Sequence, residues 1–298
     1  MKKFFSSIFV VLIFITTTNV FSQTGGTSVY FPLTNTAGKD AIIKHSDPGT
    51  PFGTFPELVM SAWVVNGQLE IIRSLLEFDD LSTIPTNALV GGAQLILMGV
   101  NSSLITYQAG NSYPSTIYPT NEVYVERIKS PWAQNAVTWG NQPAADPSNP
   151  AIVPFSNSQW GWDYTVSSSV FNAMVQDMVT NPSSNFGFML KLQNENAYRH
   201  MIFGSSDNSV EKCKPHLAVR YYVPEFTYCY KASDVYTYTF TPEDITGCNH
   251  EWLVDGVLVS NSAIFNYNFP SGATYQICHR ITIDNIVYRS KCATICVY

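Results

Sequence analysis

R-S-L-L-E-F-D-D-L-S-T-I-P, from Arg73 to Pro85, and T-W-G-N-Q-P, from Thr138 to Pro143, are the stretches from which the fold is read. The first contains Ser74 to Phe78, one of a series of short apolar runs that recur between turn signals. Others are Leu58 to Val65, Ala93 to Val100, Glu122 to Ile128, Phe186 to Leu192 and Leu217 to Tyr222. This cadence predicts the strands of a sandwich or jelly roll. One segment departs from it. Val166, Val170, Met174, Val175 and Met178 recur at helical spacing behind Thr165 and Ser167, either of which can cap a helix, and Asn181-Pro182 would end it. The expectation is a single short helix across one end of the sandwich.

Those two phrases resemble the DNRLRE domain family, an all-β module of secreted polysaccharide-active proteins whose characterised members bind alginate-type sugars. Lys39-Asp40-Ala41, Phe52-Gly53-Thr54, Trp162-Asp163-Tyr164-Thr165 and Phe203-Gly204-Ser205-Ser206 follow the family's order and approximate spacing, so the resemblance covers about residues 30 to 222. Arg73, Leu75, Asp40 and Gly53 are kept. The family's pattern changes at Pro51-Phe52, at Glu77 where it has a second Arg, and at Asp207 where it has Glu. Replacing a cation by Glu77 bears on any anionic-sugar site, and a buried Arg73 with Glu77 on the same strand face reads as a structural ion pair.

Residues 1–22 read as a secretory signal peptide, with Lys2 and Lys3 ahead of an apolar run from Ile8 to Ile15 and Val20-Phe21-Ser22 at the cleavage site. The mature chain would begin near Gln23. A transmembrane anchor needs roughly 20 apolar residues, longer than this run. Loss of the two lysines takes the formal charge from -6 to -8, which argues against nucleic acid as a partner. Charged residues make up only 13% of the chain and aromatics 14%, the balance of an ordered, strand-rich protein. Export would place it in an oxidising space.

The cysteines divide the chain unevenly. Cys213 stands near the end of the first module, and Cys229, Cys248, Cys278, Cys292 and Cys296 fall in the last quarter, after Val223-Pro224-Glu225. In that last part, Trp252 to Gly256 and Ser271 to Ile277 resemble a PKD-like immunoglobulin-type sandwich, which implies a spacer or adhesion unit. Alternation places Tyr275, Ile277, His279 and Ile281 on one face and Cys278 on the other. A turn centred on Asp284-Asn285 brings Cys278 opposite about position 291, so a one-residue bulge could pair it with Cys292. Cys296 stays an alternative. Zinc held by Cys292 and Cys296 with His250 or His279 lacks the paired C-x-x-C spacing.

Enzyme motifs are near misses. His250-Glu251-Trp252-Leu253-Val254 lacks the second histidine of H-E-x-x-H, Gly38-Lys39 lacks the upstream glycine of a phosphate loop, and neither G-x-S-x-G nor a complete calcium loop occurs. The catalytic candidates are Tyr198, Arg199 and His200, because jelly-roll polysaccharide lyases use Tyr or His to remove a proton beside a uronate carboxylate that Arg neutralises. Strand alternation sets Arg199 opposite the other two. Sugar binding asks less: aromatic faces stack on pyranose rings, and amides and cations bond hydroxyls and carboxylates. Asn101 to Asn121 is a polar, loop-like segment carrying Tyr107, Tyr113 and Tyr118. Trp160 and Trp162 flank Gly161 at period-two spacing, and Trp160 is the freer of them. Trp132 and Trp139 read as packing residues.

The reading is therefore an all-β protein. A signal peptide (1–22) precedes an N-terminal jelly-roll or β-sandwich with one short helix (23–223) and a smaller immunoglobulin-like β-sandwich with disulfides (224–298). Its expected role is non-catalytic binding of an acidic, uronate-containing polysaccharide by a secreted protein, through Tyr107, Tyr113, Tyr118, Trp160 and Arg199. The alternatives are a structural or adhesive surface protein and a polysaccharide lyase. Expected partners are polysaccharide and cell-surface or secreted enzymes, without membrane insertion. No cofactor or catalytic metal is expected, and a structural calcium ion is left open.

Overall fold

The computed structural model describes residues 26–34, 36–113, 118–243, 247–283 and 287–298. The segment read as a signal peptide and the turn expected at Asp284-Asn285 lie outside them. The fold is all-β, with one α-helix among the described residues. No helix among those residues is long and apolar enough to cross a membrane.

The first sandwich uses β1 (Thr27–Pro32), β2 (Gly38–Lys44), β3 (Glu57–Val65), β4 (Gln68–Phe78), β5 (Leu89–Leu97), β6 (Val123–Ile128), β7 (Ala145–Val153), β8 (Tyr164–Val166), α1 (Ser169–Thr180), β9 (Phe188–Leu192), β10 (Arg199–Gly204) and β11 (His216–Tyr222). One sheet has the order β1-β11-β5-β8, and the other β10-β3-β4-β9-β6-β7 with β2 also on β4. β4 is the spine of the larger sheet: its first half pairs with β3, and its second half with β2 on one edge and β9 on the other. Where β3 peels away, the buried Ser74 hydroxyl takes its place. It accepts from the Val59 N–H at 2.7 Å and donates to the Val59 carbonyl at 2.9 Å.

Alternation along β4 then decides which side each residue fills. Leu76 and Phe78 enter the central core with Leu58, Met60, Leu95, Phe171, Phe188, Phe203 and Leu217. Burying each such side chain contributes about 1.5–3 kcal/mol. Leu75 points outward, joins Ala41, Ile43 and Met189, and is covered by Trp132 and Trp139 from the loop that carries T-W-G-N-Q-P. Trp132 Nε1 donates to the Phe186 carbonyl at 3.0 Å. A second outer cluster, Ile42, Val59, Ile72 and Ile202, is covered by Phe52, Phe55, Val100, Ile105 and Tyr107.

The helix starts later than its periodicity suggested. Thr165 and Val166 pair with β5, and Ser168 caps the helix by accepting from Phe171 N–H at 3.1 Å. Its apolar stripe, Phe171, Val175, Met178 and Val179, is buried, and Asn181 closes it by donating to the Asp177 carbonyl. Arg73 and Glu77 do share a strand face but not an ion pair. Arg73 makes paired 2.7 Å bonds to Glu195 and a 2.8 Å bond to Gln142, whereas Glu77 meets Lys39 at 3.0 Å.

The second sandwich uses β12 (Phe226–Lys231), β13 (Asp234–Pro242), β14 (Asn249–Val254), β15 (Val257–Ser260), β16 (Phe265–Asn268), β17 (Thr274–Ile283) and β18 (Val287–Cys296). Sheets β12-β13-β16 and β15-β14-β17-β18 share a core built on Trp252, Phe240, Phe265, Phe269 and Ile277. Tyr222 and Leu89 meet Ile281 where the two sandwiches touch. β17 and β18 pair in unbroken register, so Cys278 stands directly opposite Cys292 and needs no bulge. These two form a disulfide; Cys213, Cys229 and Cys296 are in no disulfide among the described residues. The zinc alternative loses Cys292 to that bond, while His250 Nδ1 and His279 Nε2 lie 3.0 Å apart in a mutual hydrogen bond.

The disulfide closes a short loop, with a separation of 14 residues. Replacing Cys278 and Cys292 together by serine is expected to lower the unfolding free energy of the second sandwich by about 3 kcal/mol. Urea unfolding followed through Trp252, the only tryptophan after residue 162, would show the earlier midpoint.

Candidate functional site

β10 lies at an edge of the larger sheet, and the N–H groups it turns away from β3 need other acceptors. Three are supplied. His200 N–H donates to Ser112 Oγ at 2.7 Å, Ile202 N–H to Asn111 Oδ1 at 2.9 Å, and Gly204 N–H to the Met98 carbonyl at 2.9 Å. The His200 carbonyl accepts from Ser112 N–H at 2.9 Å and from Asn121 Nδ2 at 2.8 Å. The polar segment between β5 and β6 is thus laid along the edge of β10.

A second loop is tied to the first. Asn121, fully buried, donates to Ser156 Oγ at 3.0 Å and accepts from Ser156 N–H at 2.9 Å. Asn111 N–H donates to the Gln159 carbonyl at 2.8 Å, and Gly161 N–H to the Val100 carbonyl at 3.1 Å. Gly110, at φ +73°, is required here, because a Cβ would stand 2.4 Å from the Gln159 carbonyl oxygen and 2.9 Å from the Trp160 ring.

These ties bring several aromatics to one rim. Tyr113 follows Ser112 and is 40% exposed, Trp160 is 37% exposed, and Tyr198, two residues before His200, is 48% exposed. Tyr198 has φ +70°, a left-handed conformation that interrupts the alternation at the start of β10. Its ring meets Trp63 edge-on at 5.4 Å, and Tyr118 meets the same indole at 5.6 Å. Phe155, beside the pinned Ser156, is also exposed. Part-exposed rings on loops fixed by buried hydrogen bonds suit stacking on a pyranose, since the loops are ordered before the ligand arrives.

Of the five binding candidates, Tyr113, Tyr118 and Trp160 stand on the pinned loops. Tyr107 lies apart from them, packed on the outer cluster around Ile105 and Ile202. Burial, then the charge of Glu70, raises its phenol well above the usual range. Arg199 turns its guanidinium back on its own loop, donating to the Asn196 and Ala197 carbonyls at 3.0 and 3.2 Å. Trp160 and Trp162 do not share a face, because Gly161 at φ +62° turns the chain between them. Trp162 packs on the core and stacks on Tyr164 at 5.5 Å.

Tyr198, Arg199 and His200 are not gathered on an open surface. His200 is fully buried, both ring nitrogens lack a hydrogen-bond partner among the described residues, and burial pushes its pKa down to about 3. A neutral imidazole without access to solvent cannot meet a substrate proton. Sequence reading missed Trp63, which looks like any strand residue. It also missed Asn111, Ser112 and Asn121, whose role depends on a strand far away in sequence.

A family model for carbohydrate-binding module family 96 matches residues 32–221, more than half of the chain. That span holds the whole rim and ends before β12. No curated protein matches the chain.

Two outcomes are expected from this geometry. Asn121→Ala would strand the Ser156 N–H, leave the His200 carbonyl with Ser112 N–H alone, and cost about 1–3 kcal/mol, read as a lower thermal midpoint. The pH profile has opposing parts. Burial raises Asp40 and Glu57 to about 7, so their stabilisation is complete below the ordinary carboxylate pKa and lost as pH rises to about 7. Burial lowers His200 to about 3 and His279 to about 4, so theirs is present above the ordinary imidazole pKa and lost as pH falls. Asp40→Asn removes one opposing acid and is expected to raise the thermal midpoint more at pH ~8 than at pH ~4.5.

Proposed function

Because the chain belongs to carbohydrate-binding module family 96, we propose that it is a secreted, non-catalytic protein that captures an acidic, uronate-containing polysaccharide. The observation that carries the reading is the rim of Tyr113, Trp160 and Tyr198, set on loops whose buried hydrogen bonds leave the rings at the surface. Asn157 and Gln159, exposed on the second loop, offer amide groups to sugar hydroxyls. The burial of His200 favours holding a chain over cleaving it, and the acidity of the protein as a whole makes any site for a uronate a local one.

The division into residues 23–223 and 224–298 follows from this reading: the first part carries the recognition and the second, a PKD-like unit, spaces it from a surface or a partner enzyme. The likeness to the DNRLRE family belongs with it, as does export directed by residues 1–22.

Native affinity electrophoresis of residues 23–298 in sodium alginate, polygalacturonate and a neutral β-glucan tests the proposal, with ultraviolet absorbance of each mixture read in parallel. Retardation by an acidic glycan at flat absorbance is expected. Tyr113→Ala and Trp160→Ala should each weaken it about 5- to 10-fold. Rising absorbance would instead mark a lyase, and no retardation by any of the three would leave the adhesive protein.

A further inference from the structure

A cavity of about 490 Å³ opens between the start of β3, the segment after β5 and the segment after β10. It lies within the size range of small-ligand sites. Glu57 lines it while only 3% exposed, and both of its carboxylate oxygens accept from the Leu104 N–H at 3.1 Å. No cation of the described residues pairs with Glu57. Asn101, Ser102 and Lys212 also line the cavity, and Leu104 and Val210 are apolar side chains there that stay 52% and 46% exposed.

A buried carboxylate bonded to a single N–H keeps lone pairs to offer, and desolvation makes it a strong acceptor for any hydroxyl that reaches it. Burial raises Glu57 to about 7, the mark of a carboxyl that the protein leaves short of partners. Two exposed aliphatic side chains beside amide, hydroxyl and carboxyl groups match a pyranose, which is apolar on its C–H faces and polar at its edges.

We infer that this cavity is a second sugar subsite, which takes one pyranose unit through adjacent hydroxyls donated to the Glu57 carboxylate, with Leu104 and Val210 against its C–H face. The inference rests on the carbohydrate-binding reading and deepens it. The segment that ends at Tyr113 on the rim begins at Asn101 in the cavity, so one ordered loop serves both places. Recognition then depends on hydroxyl pattern as well as on aromatic stacking.

The test uses residues 23–298 and the same three polysaccharides. Glu57→Gln, compared with wild type at pH ~8 where Glu57 is ionised, keeps the shape and the acceptor for Leu104 N–H but removes the charge, and is expected to weaken retardation about 10-fold. Leu104→Ser combined with Val210→Ser, both exposed and without risk to the core, should weaken it about 5-fold. Thermal midpoints within a few degrees of wild type would show that the fold is intact. If Tyr113→Ala and Trp160→Ala weaken retardation while both cavity variants bind like wild type, the subsite is overturned and the binding reading stands. If wild type is not retarded by any of the three glycans, both are overturned together.

Discussion

An edge strand presents a row of backbone donors and acceptors that must be satisfied, and in this protein the edge of β10 decides how the loops are arranged. A hydroxyl, an amide oxygen and a backbone carbonyl, from Ser112, Asn111 and Met98, take the outward N–H groups of His200, Ile202 and Gly204. An unmade bond at a buried backbone group costs about 1–3 kcal/mol, so the segment between β5 and β6 cannot leave that edge cheaply. Once it is held there, Asn121 draws Ser156 in, and Trp160 follows over Gly110. The rim is thus a consequence of sealing a sheet edge. The same seal blocks strand addition by a second chain.

The opposite outer region shows what happens where polar groups are paired and covered. Arg73 is clamped by Glu195 and Gln142 and lies 4.6 Å from the centre of the Trp139 ring, and Lys39 lies over Trp132 while it meets Glu77. These cations are committed to structure, with Trp132 and Trp139 as plates over Leu75 and Met189. Tyr113, Trp160 and Tyr198 instead remain part-exposed. The contrast separates aromatics that hold the fold from aromatics available to a ligand. The family match, which covers both groups, does not make that distinction by itself.

The strand pattern was legible because it depends on local alternation: β3, β6, β9 and β11 coincide closely with the apolar runs read from the chain. The helix was legible in its stripe but not at its start, since pairing of Thr165 and Val166 with β5 outweighs their place in the helical period. Arg73 and Glu77 were placed on one face correctly, but their partners Glu195 and Lys39 come from other segments. The same limit applies to the rim. Tyr113 and Trp160 were recognisable as aromatics in polar loops, whereas the bonds from Asn111, Ser112 and Asn121 to β10 span about 80 to 90 residues of chain and leave no mark in composition or spacing. For Cys278 and Cys292 a small error in the placement of the turn was enough to suggest a bulge that the register does not contain.

Hydrogen–deuterium exchange on the whole chain, free and in sodium alginate, tests the central claim directly, because it reports where a polysaccharide touches without relying on substitutions. The account predicts slowed exchange in residues 101–113, 156–161 and 198–200, with residues 226–298 unchanged. Protection confined to the second sandwich, or to the plated face around Trp132 and Trp139, would contradict it.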